Sequence, residues 1–279
     1  NFISLMYTHF YIVLNAFLLS LYLSLLALKT RRWFLPLTIA AFFLAVINLL
    51  TMEYFYFLEF LRPVLFWICL DGKGKNRLYR VTINYFPYIL TFFGVTIWRL
   101  FFFENQNASY TYTILNLLRE DTLLGIWTLV QEIFLSFWET VFRAWFYPFE
   151  SINIEIVGLR TTIAALTLTI GVILMVGIFT FLFSQPDKQN NSWVRQGLFI
   201  GFTAWLFAGV SLWMVGIQPQ IHFSADRFTL PFMLGSSLLI VSALGLIGRK
   251  SRFQFVVLTM LVGFSVGKQF QIGVQYARD

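Results

Sequence analysis

The feature that most constrains this chain is the recurrence of apolar stretches long enough to cross a bilayer. A crossing takes about 20 mostly apolar residues at about 1.5 Å of rise each. Eight stretches qualify: 10–28, 33–50, 54–70, 85–103, 161–183, 197–215, 229–247 and 253–269. A water-soluble fold cannot hide them, because 58% of the residues are hydrophobic and only 20 Lys and Arg with 13 Asp and Glu are left to cover a surface. The sequence therefore predicts an all-α fold, a polytopic transmembrane helix bundle of about eight spans, multi-pass in the cell membrane. It reads as a single transmembrane domain over 1–279, part of a longer chain, since it opens at Asn1 and both ends abut apolar segments.

Charge orients the spans. The basic turns at 29–32 (Lys29, Arg31, Arg32) and 71–80 (Lys73, Lys75, Arg77, Arg80) flank an even number of stretches, so both fall on one side, which is cytoplasmic by the positive-inside rule. Arg249, Lys250 and Arg252 join them only if 122–149 does not cross. In that stretch Glu132, Ser136, Glu139 and Arg143 recur at helical spacing on one face, with Leu123, Trp127, Val130 and Phe134 on the rest. The expectation is an external interfacial helix over 122–149, inside an external segment 104–160 that carries Glu104, Glu120, Asp121, Glu132, Glu139, Glu150 and Glu155. Basic residues in short knots rather than a stripe exclude nucleic acid and make membrane lipids the expected partners. Glycosylation acceptors at Asn107 and Asn190 fall on opposite sides and decide nothing. Gly263 and Gly267 form a small-xxx-small pair suited to close helix packing, and Lys268 is expected to extend its ammonium to the headgroups.

The chain carries no phosphate-cradling Gly-rich loop, HExxH, GxSxG or CxxC. His9, His222 and Cys69 do not make a zinc site, so no metal and no cofactor are expected, except that the adjacent acids Glu120 and Asp121 suit a divalent cation or a base. Both acids are also explained without chemistry, Asp121 as a helix cap and Glu120 beside the positive helix end. Glu59 and Arg62 lie three apart within the third stretch, just before Pro63. They are either a working pair or a self-neutralising one whose arginine reaches outward. The short loop 216–228 holds His222, Asp226 and Arg227, which suit proton exchange and phosphate recognition, or else a cap and a lipid contact. Candidate catalytic residues are thus Glu120, Asp121, Asp226 and His222, and candidate substrate or lipid-phosphate contacts are Arg62, Arg227, Glu59 and Glu53.

The stretch HFYIVLNAFLLSLYLSLL (9–26), the basic turn after it, the further short-looped spans and the acidic external segment together resemble the GT-C superfamily. The stretches EYFYFLEFLRPVLFW (53–67) and DRFTLPFMLGSSLL (226–239) look like parts of large bacterial membrane proteins of this kind. The resemblance implies a polytopic glycosyltransferase with a polyprenyl-phosphate sugar donor as partner. Relatives of that type carry their catalytic acid in the first external loop, whereas the adjacent acids here follow the fourth stretch. The alternatives are a transporter or flippase for a lipid or glycan intermediate, with Glu59 and Arg62 as its gate, and a non-catalytic subunit of a membrane complex.

Overall fold

A computed structural model describes residues 2–72, 74–102, 113–150, 158–183, 192–221, 225–247 and 251–278. The chain is an all-α helix bundle with no strand among the described residues. Among the described residues seven helices are long and apolar enough to cross a membrane. They belong to α1 (Phe2–Lys29), α2 (Phe34–Thr51), α4 (Lys75–Phe101), α8 (Leu159–Phe183), α9 (Ser192–Val215), α10 (Met233–Ile247) with the 3-10 turn before it, and α11 (Ser251–Arg278).

The third of the eight apolar stretches is not among them, because its helix is broken. Over 54–70 there is no continuous α-helix but a 3-10 segment, Glu53–Phe60, followed by the short α3, Leu61–Cys69. Pro63 explains the joint. It has no N–H for the carbonyl of Glu59 and its ring crowds that carbonyl, so an α-helix starts at Leu61 but does not extend upstream through this point. At about 2.0 Å per 3-10 residue and 1.5 Å per α residue the two pieces still span about 30 Å, a bilayer core. The fourth helix, conversely, begins at Lys75, well before its apolar stretch, because hydropathy marks where lipid begins rather than where the helix does.

The chain forms two compact units. The first, Phe2–Ser136 with Ile200–Gly235, is built on the α1–α2 hairpin, where Ser20 Oγ donates to the Ala41 carbonyl at 2.6 Å. Its core is one cluster of Ala41, Ala45, Phe66, Leu70, Val81 and Tyr88 and another of Leu49, Tyr56, Phe92 and Val95. One end of this unit holds the basic turns. There Arg77 stacks on Trp67 with 4.8 Å to the ring centroid and donates to the Trp67 and Ile68 carbonyls, while Arg80 donates to the Asp71 carbonyl at 3.0 Å. The other end gathers the start of α1, the end of α2, the top of the 3-10 segment, the end of α4 and the loop after α9. Here α5 (Thr113–Glu120) lies beside Gly216, and α6 (Thr122–Phe137) presents Glu132 and Ser136 to Gln218 and Trp213 at 2.9 and 3.0 Å. The polar stripe of α6 is therefore fastened to protein. Leu123, Trp127 and Phe134 point outward, 81%, 61% and 68% exposed, the inverse of a water-soluble amphipathic helix.

The second unit, Phe137–Phe199 with Ser236–Asp279, continues this stretch as a π-turn (Trp138–Arg143), α7 (Ala144–Phe146) and a 3-10 turn (Tyr147–Phe149). Here α8 and α11 pack antiparallel through the small-residue pair, with Gly263 against Ile173 and Gly267 against Thr169. Lys268 does not simply reach for headgroups. Its ammonium donates to the Glu150 carbonyl at 3.3 Å and sits over the Tyr147 ring, beside the Phe149–Phe264 contact.

Candidate functional site

Of the residues singled out from sequence, Glu59 and Arg62 have the most developed surroundings. Neither is exposed at all. Arg62 Nε and Nη2 donate to the two oxygens of Glu59, the second at 3.1 Å. Nη1 donates to Ser24 Oγ at 2.9 Å and to the Ser20 carbonyl at 3.2 Å, and Nη2 donates again to Ser20 Oγ at 2.9 Å. All five guanidinium donors thus have protein acceptors. The Tyr88 ring closes one face, 3.9 Å from the guanidinium carbon. Arg62 does not reach outward, as a simple self-neutralising pair would let it, but is locked inward, joining α1, the 3-10 joint and α4. In this arrangement it has no N–H left for an outside ligand.

Glu53, at the top of the same 3-10 segment, is ion-paired with Arg99, which also donates to the Leu49 and Leu50 carbonyls at 3.1 and 3.2 Å. The last carbonyls of α2, left open by the helix end, are thereby capped by a side chain of α4. Next to this, Tyr56 Oη donates to the Phe92 carbonyl at 3.0 Å and meets Thr96 Oγ1.

Tyr54 brings the two remaining segments of interest together. Its ring stacks on Phe10 (5.9 Å between centroids) and meets Phe228 edge-on (5.2 Å), while its carbonyl accepts from Ser211 Oγ at 3.3 Å. The second 3-10 segment, Asp226–Phe232, is thus held against the first. Asp226 does not cap it, because the cap position is Ala225 and makes no side-chain bond. Instead Asp226 opens the segment within electrostatic range of Tyr11. Arg227 lies over the Phe228 ring at 4.9 Å, and its buried Nε has no acceptor among the described residues. His9 packs on Phe10 at the same end. His222 lies outside the described residues, as do Glu104, Asn107, Glu155, Asn190, Lys73, Arg249 and Lys250.

The adjacent acids are placed differently. Asp121 caps α6, its Oδ1 accepting from the backbone of Leu123 and Leu124 at 3.1 Å each, while Glu120 is an exposed residue ending α5. Among the described residues no group of three or more His, Cys, Asp or Glu is placed to hold a metal. Further along, Arg143 Nη1 donates to Glu139 Oε1 at 2.8 Å, and this bond raises the already high pKa of that arginine.

Sequence reasoning missed Ser20, Ser24, Tyr88, Arg99 and Gln218. Ser20 and Ser24 carried a signal, two hydroxyls one helical turn apart in an otherwise oily span. Arg99 carried none, since an arginine near a span end reads as reaching for headgroups. No protein-family model, curated protein or solved structure matches this chain.

Proposed function

We propose that this chain, an integral membrane helix bundle, is part of a transferase that takes a sugar from a polyprenyl-phosphate carrier. The anionic headgroup meets the protein at the acid-bearing end of the first unit, where Arg227, Asp226 and the aromatic cluster converge. The observation that carries the reading is Arg227. Arg62, at the foot of the 3-10 segment, meets acceptors with all five donors, and Arg99 turns both terminal nitrogens to Glu53 and the Leu49 and Leu50 carbonyls with only its Nε unmet, whereas Arg227 has the Phe228 ring and a buried Nε without an acceptor among the described residues. A guanidinium lying over a ring beside an apolar surface suits a phosphate carried on a lipid tail. The outward apolar face of α6, in the same unit, offers lipid tails such a surface.

In this reading the acceptor hydroxyl gives its proton to a carboxylate, for which Asp226 is our candidate. Its oxygen bonds to the anomeric carbon, and the carbon–oxygen bond to phosphate breaks with the electron pair leaving on the phosphate, which Arg227 steadies. The test is transfer and photocrosslinking with a polyprenyl-phosphate sugar in proteoliposomes. Arg227→Ala should lower both by about tenfold or more, the scale of one charge-assisted hydrogen bond, while Lys75→Ala at the basic end leaves both unchanged. Unaltered crosslinking in Arg227→Ala would refute the reading. A second reading, transport of a lipid intermediate, is favoured by the two spans that open as abutting 3-10 segments. It predicts movement of labelled headgroup across the bilayer with no transfer product.

A further inference from the structure

The eight residues Glu53–Phe60 make a 3-10 run well beyond the usual three or four. Their sequence, EYFYFLEF, holds neither Gly nor Pro, and Pro63 forbids only the α-type bond to the Glu59 carbonyl. Local chemistry therefore does not explain the run. Tertiary ties do: Glu53 to Arg99, the Tyr54 carbonyl to Ser211, Tyr56 to Phe92 and Thr96, and Glu59 to Arg62 at the foot.

We propose that this segment is a two-state strap that closes and opens the acid-bearing end, with the Glu53–Arg99 pair as its latch. A 3-10 residue turns the chain by about 120° and an α residue by about 100°, with rises of about 2.0 and 1.5 Å. Counted from Leu61, conversion to α turns Glu59 by about 40°, Tyr56 by about 100° and Glu53 by about 160°, and draws the top inward by about 4 Å. Glu59 keeps Arg62 through so small a turn. Tyr56 and Glu53 lose their partners, so the two arrangements exclude each other, as a bistable element requires. What differs at the surface is Tyr54. In the 3-10 form it fills the space between Phe10 and Phe228, and in the α form it is withdrawn from both.

The experiment uses a single thiol, Phe228→Cys, in a Cys69→Ser background, reconstituted in liposomes without any substrate. The rate of thiosulfonate modification there follows the fraction of molecules with Tyr54 withdrawn. Arg99→Gln should raise it by about threefold to fivefold, the shift expected for losing an ion pair whose carboxylate is largely exposed, and Glu53→Gln should raise it in the same direction. A thiol at Ala45→Cys, buried in the same unit, reports general loosening and should not change. A rate at position 228 that stays constant in both latch variants, or that rises equally at position 45, overturns the proposal. Because no ligand takes part, that result leaves the role of Arg227 standing, and failure of phosphate crosslinking leaves the strap standing.

Discussion

Replacing Arg62 by alanine is the most informative single perturbation. It removes a guanidinium with five donors and leaves the Glu59 carboxylate, which has no exposed surface, without its partner. It also strips the donor partner from the Ser20 and Ser24 hydroxyl oxygens and the cation from the Tyr88 ring. Breaking one side of a buried ion pair costs about 3–5 kcal/mol, and we expect Arg62→Ala and Glu59→Ala each to fall in that range. The double variant buries no uncompensated charge and should lose about 1–3 kcal/mol, mainly through the cavity. The singles would then be worse than the double. Arg62→Lys tests geometry separately from charge. Three ammonium donors on a flexible stem cannot reproduce five in a planar fork, so lysine should recover only part of the loss. Reversible unfolding in mixed micelles, with the four proteins forming a double-mutant cycle, measures the coupling. Losses that add, or an Arg62→Ala protein within about 0.5 kcal/mol of the parent, would refute the claim that this pair locks α1, α3 and α4 together.

Arg99→Ala removes the cap on the Leu49 and Leu50 carbonyls and should lower stability by about 1–2 kcal/mol, whereas Glu53→Ala, whose carboxylate is 62% exposed, should cost about 1 kcal/mol or less by the same unfolding measurement. Gly267→Ala places a Cβ on Thr169 at the α8–α11 contact and should destabilise by about 1–3 kcal/mol, while Gly273→Ala, on the same helix with open space around it, should be neutral or mildly stabilising in thermal melts. Asp121→Ala should lose about 1 kcal/mol with its two capping bonds, and Glu120→Ala should change nothing measurable in the same assay. Cysteines at Arg31, Lys75 and Lys250 should label from the cytoplasmic side and those at Asn107 and Asp226 from outside; labelling of position 250 from outside would mean that 122–149 crosses the membrane.

The sequence by itself determined the class of this molecule, because lipid is the one solvent that suits its long apolar stretches and because hydropathy needs only local residue counts. It also determined that 122–149 is amphipathic, since helical spacing is a local property. That Asp121 caps the helix after it was legible as well, because capping involves residues only two or three apart. The tertiary structure decided what non-local contact decides. The break at Pro63 was visible as a proline, yet the 3-10 run above it depends on Arg99, Ser211, Phe92 and Thr96, which lie 36 or more positions from their partners in sequence, along other helices. The Glu59–Arg62 pair was visible as a spacing. Whether the arginine reaches for water or turns inward rests on Ser20 and Ser24 of α1 and Tyr88 of α4, whose positions follow only once three helices have packed, because a guanidinium goes where all five of its donors are met.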